Sequence, residues 1–209
     1  MISINDRLTA GVLSVQGDVS EHIAAFEAAF EKLGTTGEAR PVKHPRDIKK
    51  CDVLAIPGGE STTFSKLSVE TGSFDTIRKK AKAGMPILAT CAGLIMISKR
   101  GDAQVKKTGQ RLMGLLDVKV DRNYFGRQID SFETDLEISF LKPKKFRAFF
   151  IRAPIIEKIF DPGITVISRL ADGTIVGVKK GNIIGLSFHP EIGGDARLHE
   201  HVLRLALRG

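Results

Sequence analysis

Cys91 interrupts an apolar run, PILATCAGLIMI (residues 86–97), and the chain has one other cysteine, Cys51. A free cysteine is usually a small buried hydrophobe, but it becomes a nucleophile where its surroundings favour thiolate. The run reads as a buried strand, ILAT, handing over to a helix at Cys91. A side chain at that corner points out of a sheet rather than into its core. Ala92 and Gly93 are small enough for a sharp turn and close helix–strand packing, as in a nucleophile elbow. The start of a helix also places partial positive charge beside the sulfur. On this segment alone, core cysteine and nucleophile are equally good readings. Cys51, between a lysine pair and Asp52 at a strand start, has no such setting and reads as structural.

A nucleophilic thiolate needs a base, and the base an orienting group. In IIGLSFHPEIGG, His189 directly follows another apolar strand, and Pro190 biases it towards extended backbone. Residues two apart in extended chain point the same way, so Glu191 lies where it can orient the imidazole. A turn leading into a helix is the alternative for an isolated His-Pro-Glu. The apolar strand before it, matching the one before Cys91, favours the chemical reading. A third loop, AIPGGEST (55–62), also follows a strand. It lacks the Gly-Lys-Ser/Thr of a phosphate loop. Its glycines allow close backbone approach, so that the N–H of Gly59 could join that of Ala92 around an oxyanion. The structural alternative is a turn in which Ser61 or Thr62 caps the next helix, and both roles can hold. His199 and His201, two apart on a predicted helix, face different ways and do not suit a metal. No Cys/His cluster has zinc-ligand spacing. His44 reads as loop and His22 as helix surface.

The elements that must position these groups alternate in period. GVLSV (11–15) is a strand, and the helix after it carries Ile23, Phe26, Phe30 and Leu33 at helical spacing and stops at Gly34. Asp18 and Glu21 have capping-box spacing. DVLAI (52–56) is the next strand, followed by helical material from about Thr62 to Ala83, then the strand MPILAT and a helix AGLIMISKR. Strands apolar on both faces between helices indicate a doubly wound α/β fold with a mostly parallel sheet in three layers. From about Leu115 to Ser187 come strands without helices between them (LLDVKV, FETDLEISF, FRAFFIR, ITVISRL, TIVGVK and NIIGLSF), a mixed or antiparallel extension. The helix DARLHEHVLRLAL closes the chain. With 209 residues and no linker or repeat, a single domain over 1–209 is expected.

Composition narrows the partners. The formal net charge of +8 raises nucleic acid as a ligand. The basic residues fall in short clusters bounded by loops, with no aromatic stacking platform or binding motif beside them, so solvated surface is the better reading. An acidic protein partner is a third possibility. No apolar stretch approaches the roughly 20 residues of a membrane span, and the N-terminus lacks a signal-peptide pattern. Two cysteines make no disulfide framework, so the cytoplasm is the expected setting.

The cysteine elbow, the His-x-Glu after a later strand and the Gly-Gly loop together resemble the class I glutamine amidotransferase family, with its Cys-His-Glu triad and flavodoxin-like sheet. Within it, the chain is most similar to the branch of glutaminase subunits that serve pyridoxal 5′-phosphate synthases. The resemblance rests on GVLSVQGDVSEH (11–22), PGGEST (57–62), TCAGL (90–94), RNYFGRQIDSFE (122–133), FIRAP (150–154) and SFHPEIGGDARLH (187–199), in order over nearly the whole chain. It implies hydrolysis of L-glutamine to glutamate and ammonia, delivery of the ammonia to a partner synthase subunit in a hetero-oligomer, and no cofactor in this subunit. It implies Cys91 as nucleophile, His189 as acid/base and Glu191 as its orienter. Gly59, Glu60, Ser61, Arg122, Ile151 and Arg152 would bind glutamine, and Gln16, Gly17, Glu21 and His22 would meet the synthase. The basic stretch 100–113 matches no motif. Two other readings remain: an amidase or γ-glutamyl hydrolase without a synthase, and a non-catalytic regulatory or nucleic-acid-binding relative. Retention of Cys91, His189 and Glu191 together argues against the second.

Overall fold

The computed structural model describes residues 7–15, 17–122, 124, 131–141 and 143–208. Gln16 therefore lies outside the described residues. The first half alternates strand and helix: β1 (Leu8–Leu13), α1 (Val19–Leu33), β2 (Gly37–Val42), α2 (Pro45–Ile48), β3 (Val53–Ile56), α3 (Ser61–Glu70), α4 (Ser73–Lys82), β4 (Ile87–Thr90) and α5 (Ala92–Ile97). The second half is mainly strands: β5 (Ser98–Arg100), α6 (Ala103–Lys107), β6 (Leu116–Asp121), β7 (Ser131–Leu136), β8 (Phe146–Ile151), β9 (Ile155–Ile159), β10 (Thr165–Arg169), β11 (Ile175–Lys180), β12 (Ile183–Leu186) and the closing α7 (Arg197–Ala206).

The main sheet runs β2-β1-β3-β4-β12-β11-β9-β6-β5, with β10 on β11. Its first five strands are parallel, in the flavodoxin-like order. The expected extension is antiparallel from β12 through β11 and β9 to β6, and β7–β8 form a separate hairpin. One expectation is corrected here: NIIGLSF belongs to the parallel body, because β12 pairs in parallel with β4. Alternate residues of the central strands feed opposite layers. Leu54 and Ile56 of β3 join Phe64, Phe74, Ile77 and Leu94 on one face. Val53 and Ala55 join Phe26, Phe188 and Leu198 on the other. Phe26, Phe64, Phe146, Phe150 and Phe188 are fully buried, each contributing about 1.5–3 kcal/mol through the area removed from water.

The helical material expected over 62–83 is two helices, parted where Gly72 takes a left-handed conformation (φ 74°). Two local expectations give way to the structure. AGLIMISKR is helical only to Ile97, and Ser98–Arg100 leaves as β5 to pair with β6. The capping box at Asp18 does not form: that carboxylate makes no cap hydrogen bond and lies against His189 instead. The sequence reading passed over β2, whose GEARPV is polar and holds a proline; both suit the sheet edge where it lies. Among the described residues, no helix is long and apolar enough to cross a membrane.

Candidate active site

Three adjacent strands deliver the candidate residues to one edge. Ile56 of β3 is in register with Ala89 of β4, and Thr90 of β4 with Leu186 of β12. The chain therefore leaves β3 into the Gly58–Gly59 loop, β4 into Cys91 and β12 towards His189, side by side at the strands' carboxyl ends. Ligands of open α/β sheets bind there.

Cys91 sits at φ 50°, ψ −108°, a conformation that L residues with a side chain rarely adopt. The turn is held from both sides: Cys91 N–H donates to the Leu186 carbonyl at 2.8 Å, and its own carbonyl accepts from Ile95 N–H. Gly93 is needed for the close approach expected of it, since a Cβ there would collide with the Ile56 carbonyl oxygen. Such strain, stored where packing over-determines the backbone, points to a functional corner. The Cys91 sulfur is 3.9 Å from the Ile151 carbonyl oxygen.

His189 is fixed by main chain and side chain alike. Its N–H donates to the Phe149 carbonyl of β8 at 2.8 Å. Its Nδ1 lies 2.8 Å from Glu191 Oε1 and 3.3 Å from Asp18 Oδ2. Burial pulls the imidazole's pKa down, but hydrogen bonds to Cys91 and Glu191, with the charges of both, outweigh it and push the value up to about 10. Glu191 is raised, chiefly by burial and only partly offset by His189. The site therefore favours an imidazole carrying a proton on Nδ1, shared between two carboxylates. Asp18, His189 and Glu191 bring ligand atoms within 4.8 Å of one another, a grouping that could hold a cation. The Nδ1 proton between the carboxylates accounts for the same geometry.

The glycine loop is packed into this arrangement. A Cβ at Gly58 would collide with His189 Cε1, and one at Gly17 with the Gly58 carbonyl oxygen. Gly59 takes φ 134°, open to glycine alone. Glu60, rather than Ser61 or Thr62, caps α3, accepting from the N–H groups of Thr62 and Thr63 at 3.0 and 2.7 Å. Burial would raise the Glu60 carboxyl, but those bonds hold it below its usual range. Ser61 is buried and donates to Gln110 Oε1 at 3.2 Å.

The unassigned basic stretch supplies partners for Arg122. Asp102 Oδ2 accepts from the Arg122 backbone N–H at 3.1 Å and from Nε at 3.4 Å. Arg122 Nη1 donates to Ser61 Oγ and Gln110 Oε1, whereas Nη2 is buried with no partner among the described residues. Neither Asp102 nor Gln110 carries a local motif that would have singled it out.

Of the segment expected to meet a partner, Gly17, Asp18 and Glu21 lie near the site's rim. Asp18 and Glu21 line a cleft of about 460 Å³ together with Ile151, Glu191 and Ile192. Ile151 and Ile192 are exposed hydrophobics, and the Arg152 side chain faces solvent. His22 is corrected: it is fully buried, so it is neither helix surface nor able to touch a partner. The signal was available, since His22 stands four residues before Phe26 and eight before Phe30 on the buried stripe of α1. His199 is likewise buried, and His201 stacks on Phe140.

Comparison with known proteins shows the family of the chain. Two similar chains are both named pyridoxal 5′-phosphate synthase subunit PdxT. That of Thermococcus onnurineus is 48% identical over 200 residues, covering 96% of this chain and 100% of the relative. That of Methanosarcina mazei is 47% identical over 193 residues, covering 92% and 96%. A crystal structure of a glutamine amidotransferase, 40% identical, superimposes with a TM-score of 0.82 over 94% of this chain and 98% of its own. A glutamine amidotransferase from Thermotoga maritima, at 16% identity and a TM-score of 0.61 over 98% of both chains, shares the fold. The model of the SNO glutamine amidotransferase family matches residues 12–207, which takes in the glycine loop, the Cys91 corner and the His189–Glu191 pair, and the chain belongs to that family.

Proposed function

We propose that the chain, folded as one domain, is the glutaminase subunit of a pyridoxal 5′-phosphate synthase. It hydrolyses L-glutamine to L-glutamate and ammonia and delivers the ammonia to a partner synthase subunit. The observation that carries the reading is the strained Cys91 corner beside the Glu191-held His189, in a chain whose relatives at 47–48% identity are named as subunits of that synthase.

The chemistry follows from the groups present. The Cys91 sulfur attacks the side-chain amide carbon of glutamine, and the carbonyl oxygen becomes an oxyanion held by the N–H groups of Gly59 and Ala92. His189, which the site keeps protonated, donates to the departing nitrogen, so that ammonia leaves and a γ-glutamyl thioester remains. His189 then takes a proton from water, which attacks the thioester and releases glutamate. Glu191 orients the imidazole through both steps. The Arg122 guanidinium, with its buried Nη2 unengaged among the described residues, is proposed to bind the substrate's α-carboxylate, alongside Glu60, Ser61 and the Ile151–Arg152 backbone. Gln16, Gly17 and Glu21 are proposed to meet the synthase, with exposed Ile151 and Ile192 at the neighbouring cleft.

The test is ammonia release from glutamine, measured with and without the cognate synthase subunit. Release that rises on adding synthase is expected. Release that ignores the synthase, or preference for other γ-glutamyl amides over glutamine, would favour a stand-alone amidase. A separate result is expected of Asp102→Asn. It weakens the hold on Arg122 without touching Cys91 or His189, so KM for glutamine should rise about tenfold, roughly 1.4 kcal/mol, while kcat stays within about twofold. A fall in kcat at unchanged KM would remove Arg122 from substrate binding.

A further inference from the structure

Behind the triad lies a second pair of imidazoles that the reaction above does not use. His22 of α1 and His199 of α7 are both completely buried, and His22 Nδ1 lies 2.9 Å from His199 Nε2. On its other side, His22 Nε2 lies 3.2 Å from Thr90 Oγ1, at the end of β4, and 3.3 Å from Glu191 Oε2. The His199 and Phe26 rings meet edge to face, with the two planes at 90°.

Counting hydrogens fixes the direction of this chain. Burial, with the charges of His199 and His189, holds His22 well below its usual pKa, and burial lowers His199 to about 3. Each ring is therefore neutral and carries one N–H. Were it His22 Nδ1 that donated, His199 would carry its hydrogen on Nδ1, an atom buried with no partner among the described residues. A buried donor left unpaired costs about 1–3 kcal/mol. In the opposite arrangement His199 Nε2–H donates to His22 Nδ1, and only a lone pair goes unfilled. That arrangement places the one N–H of His22 on Nε2, facing Thr90 and Glu191. Of the two, Thr90 Oγ1 is the hydrogen-bond acceptor; Glu191 Oε2 lies 3.3 Å from Nε2 but outside hydrogen-bond geometry, buried with no hydrogen-bond partner among the described residues.

We propose that His22, with its ring fixed by His199, is a positioning residue for Glu191. The His22 Nε2–H, given to Thr90, sets the polar edge of the ring 3.3 Å from the unpaired Glu191 Oε2, and that close contact, rather than a hydrogen bond, keeps Oε1 on His189 Nδ1 and the imidazole aimed at Cys91. The ionisable groups facing His22 are His199 and Glu191, with His189 and Asp18 beyond the carboxylate. The arrangement joins α1 and α7 to the catalytic edge by side chains alone. It rests on the glutaminase reading.

The test compares two substitutions in the complex with the synthase subunit. His22→Gln keeps an N–H donor near the Nε2 position, whereas His22→Leu fills similar space with none. For His22→Leu, kcat is expected to fall about 10- to 100-fold at nearly unchanged KM for glutamine, as for a misaimed catalytic group. His22→Gln is expected to recover most of that loss, which a purely packing role would not predict. If His22→Leu does not fold, His199→Leu removes only the ring that fixes His22 and is expected to lower kcat in the same sense. An unchanged kcat in the leucine variants, or an equal loss in His22→Gln and His22→Leu, overturns the proposal. A wild-type complex that releases no ammonia overturns the glutaminase reading instead. In that case the pH profile of Cys91 alkylation by iodoacetamide in the free chain decides. Its inflection is expected to move in His22→Leu and not in His22→Gln, and identical profiles would overturn the positioning role.

Discussion

Cys91→Ser abolishes glutamine hydrolysis, by about 10⁴-fold or more in kcat, whereas Cys51→Ser leaves it within about twofold; this is the largest contrast expected of any pair of like substitutions in the chain. The two thiols differ in backbone, not in burial: both are less than a tenth exposed. Cys91 stands at a strained corner next to His189, at the mouth of the sheet. Cys51 lies inside the sheet's flank, where its thiol donates to the Asp47 carbonyl at 3.3 Å. Burial pushes the Cys51 thiol up to about 11, more than the nearby Arg40 and Lys80 can lower it, so it stays protonated and unreactive. A serine at 51 can keep the bond to Asp47, whereas a serine hydroxyl at 91 is a far weaker nucleophile than a thiolate. The measurement is ammonia release together with labelling by a glutamine-analogue electrophile. Turnover surviving in Cys91→Ser would overturn the mechanism, and label on Cys51 would overturn the assignment of the two cysteines.

That contrast was legible in the sequence because it is local. A strand followed by Cys-Ala-Gly, and another followed by His-x-Glu, place their side chains through backbone period and corner geometry alone. The parallel pairing of β4 with β12 then brings the two corners together. What escaped the sequence reading joins segments far apart in the chain. Asp18 has the spacing of a helix cap, yet its carboxylate is drawn to His189, a charged partner more than 170 positions away. His22 lies on the apolar stripe of α1, which signals its burial, but only the packing of α7 shows that His199 meets it. The stretch 100–113 matches no motif because Asp102 and Gln110 find their partner in Arg122, 20 and 12 positions further along the chain. β2 was missed for the opposite reason: an edge strand need not be apolar, and its composition imitates a loop.

Gly58→Ala is expected to lower kcat of the complex by about 10²–10³-fold, comparable to losing one oxyanion donor. Gly58 does not occupy the left-handed region, so alanine suits its backbone. The obstacle is the His189 ring, against which the new Cβ would press. Relief requires moving either the imidazole off Cys91 or the peptide that carries the Gly59 N–H, and each removes a group the reaction needs. The same stack explains how a partner can govern the site. Gly17 abuts the Gly58 carbonyl oxygen so closely that no side chain fits between them, and Gly17 belongs to the segment after β1 that is proposed to meet the synthase. Pressure on that segment therefore acts on the Gly58–Gly59 peptide directly, and glycine peptides turn over at little steric cost. Docking can select the orientation that aims the Gly59 N–H inward, a population shift that must supply about 2.7–4 kcal/mol if the donor is absent in the free chain. The free subunit is then a poor glutaminase, and Gly17→Ala, with φ 100° at that position, should lose most of the stimulation by synthase. Titrating synthase against wild type, Gly17→Ala and Gly58→Ala reads both effects. Full activity in the free wild-type chain, or a Gly58→Ala complex that turns over at the wild-type rate, would sink this account.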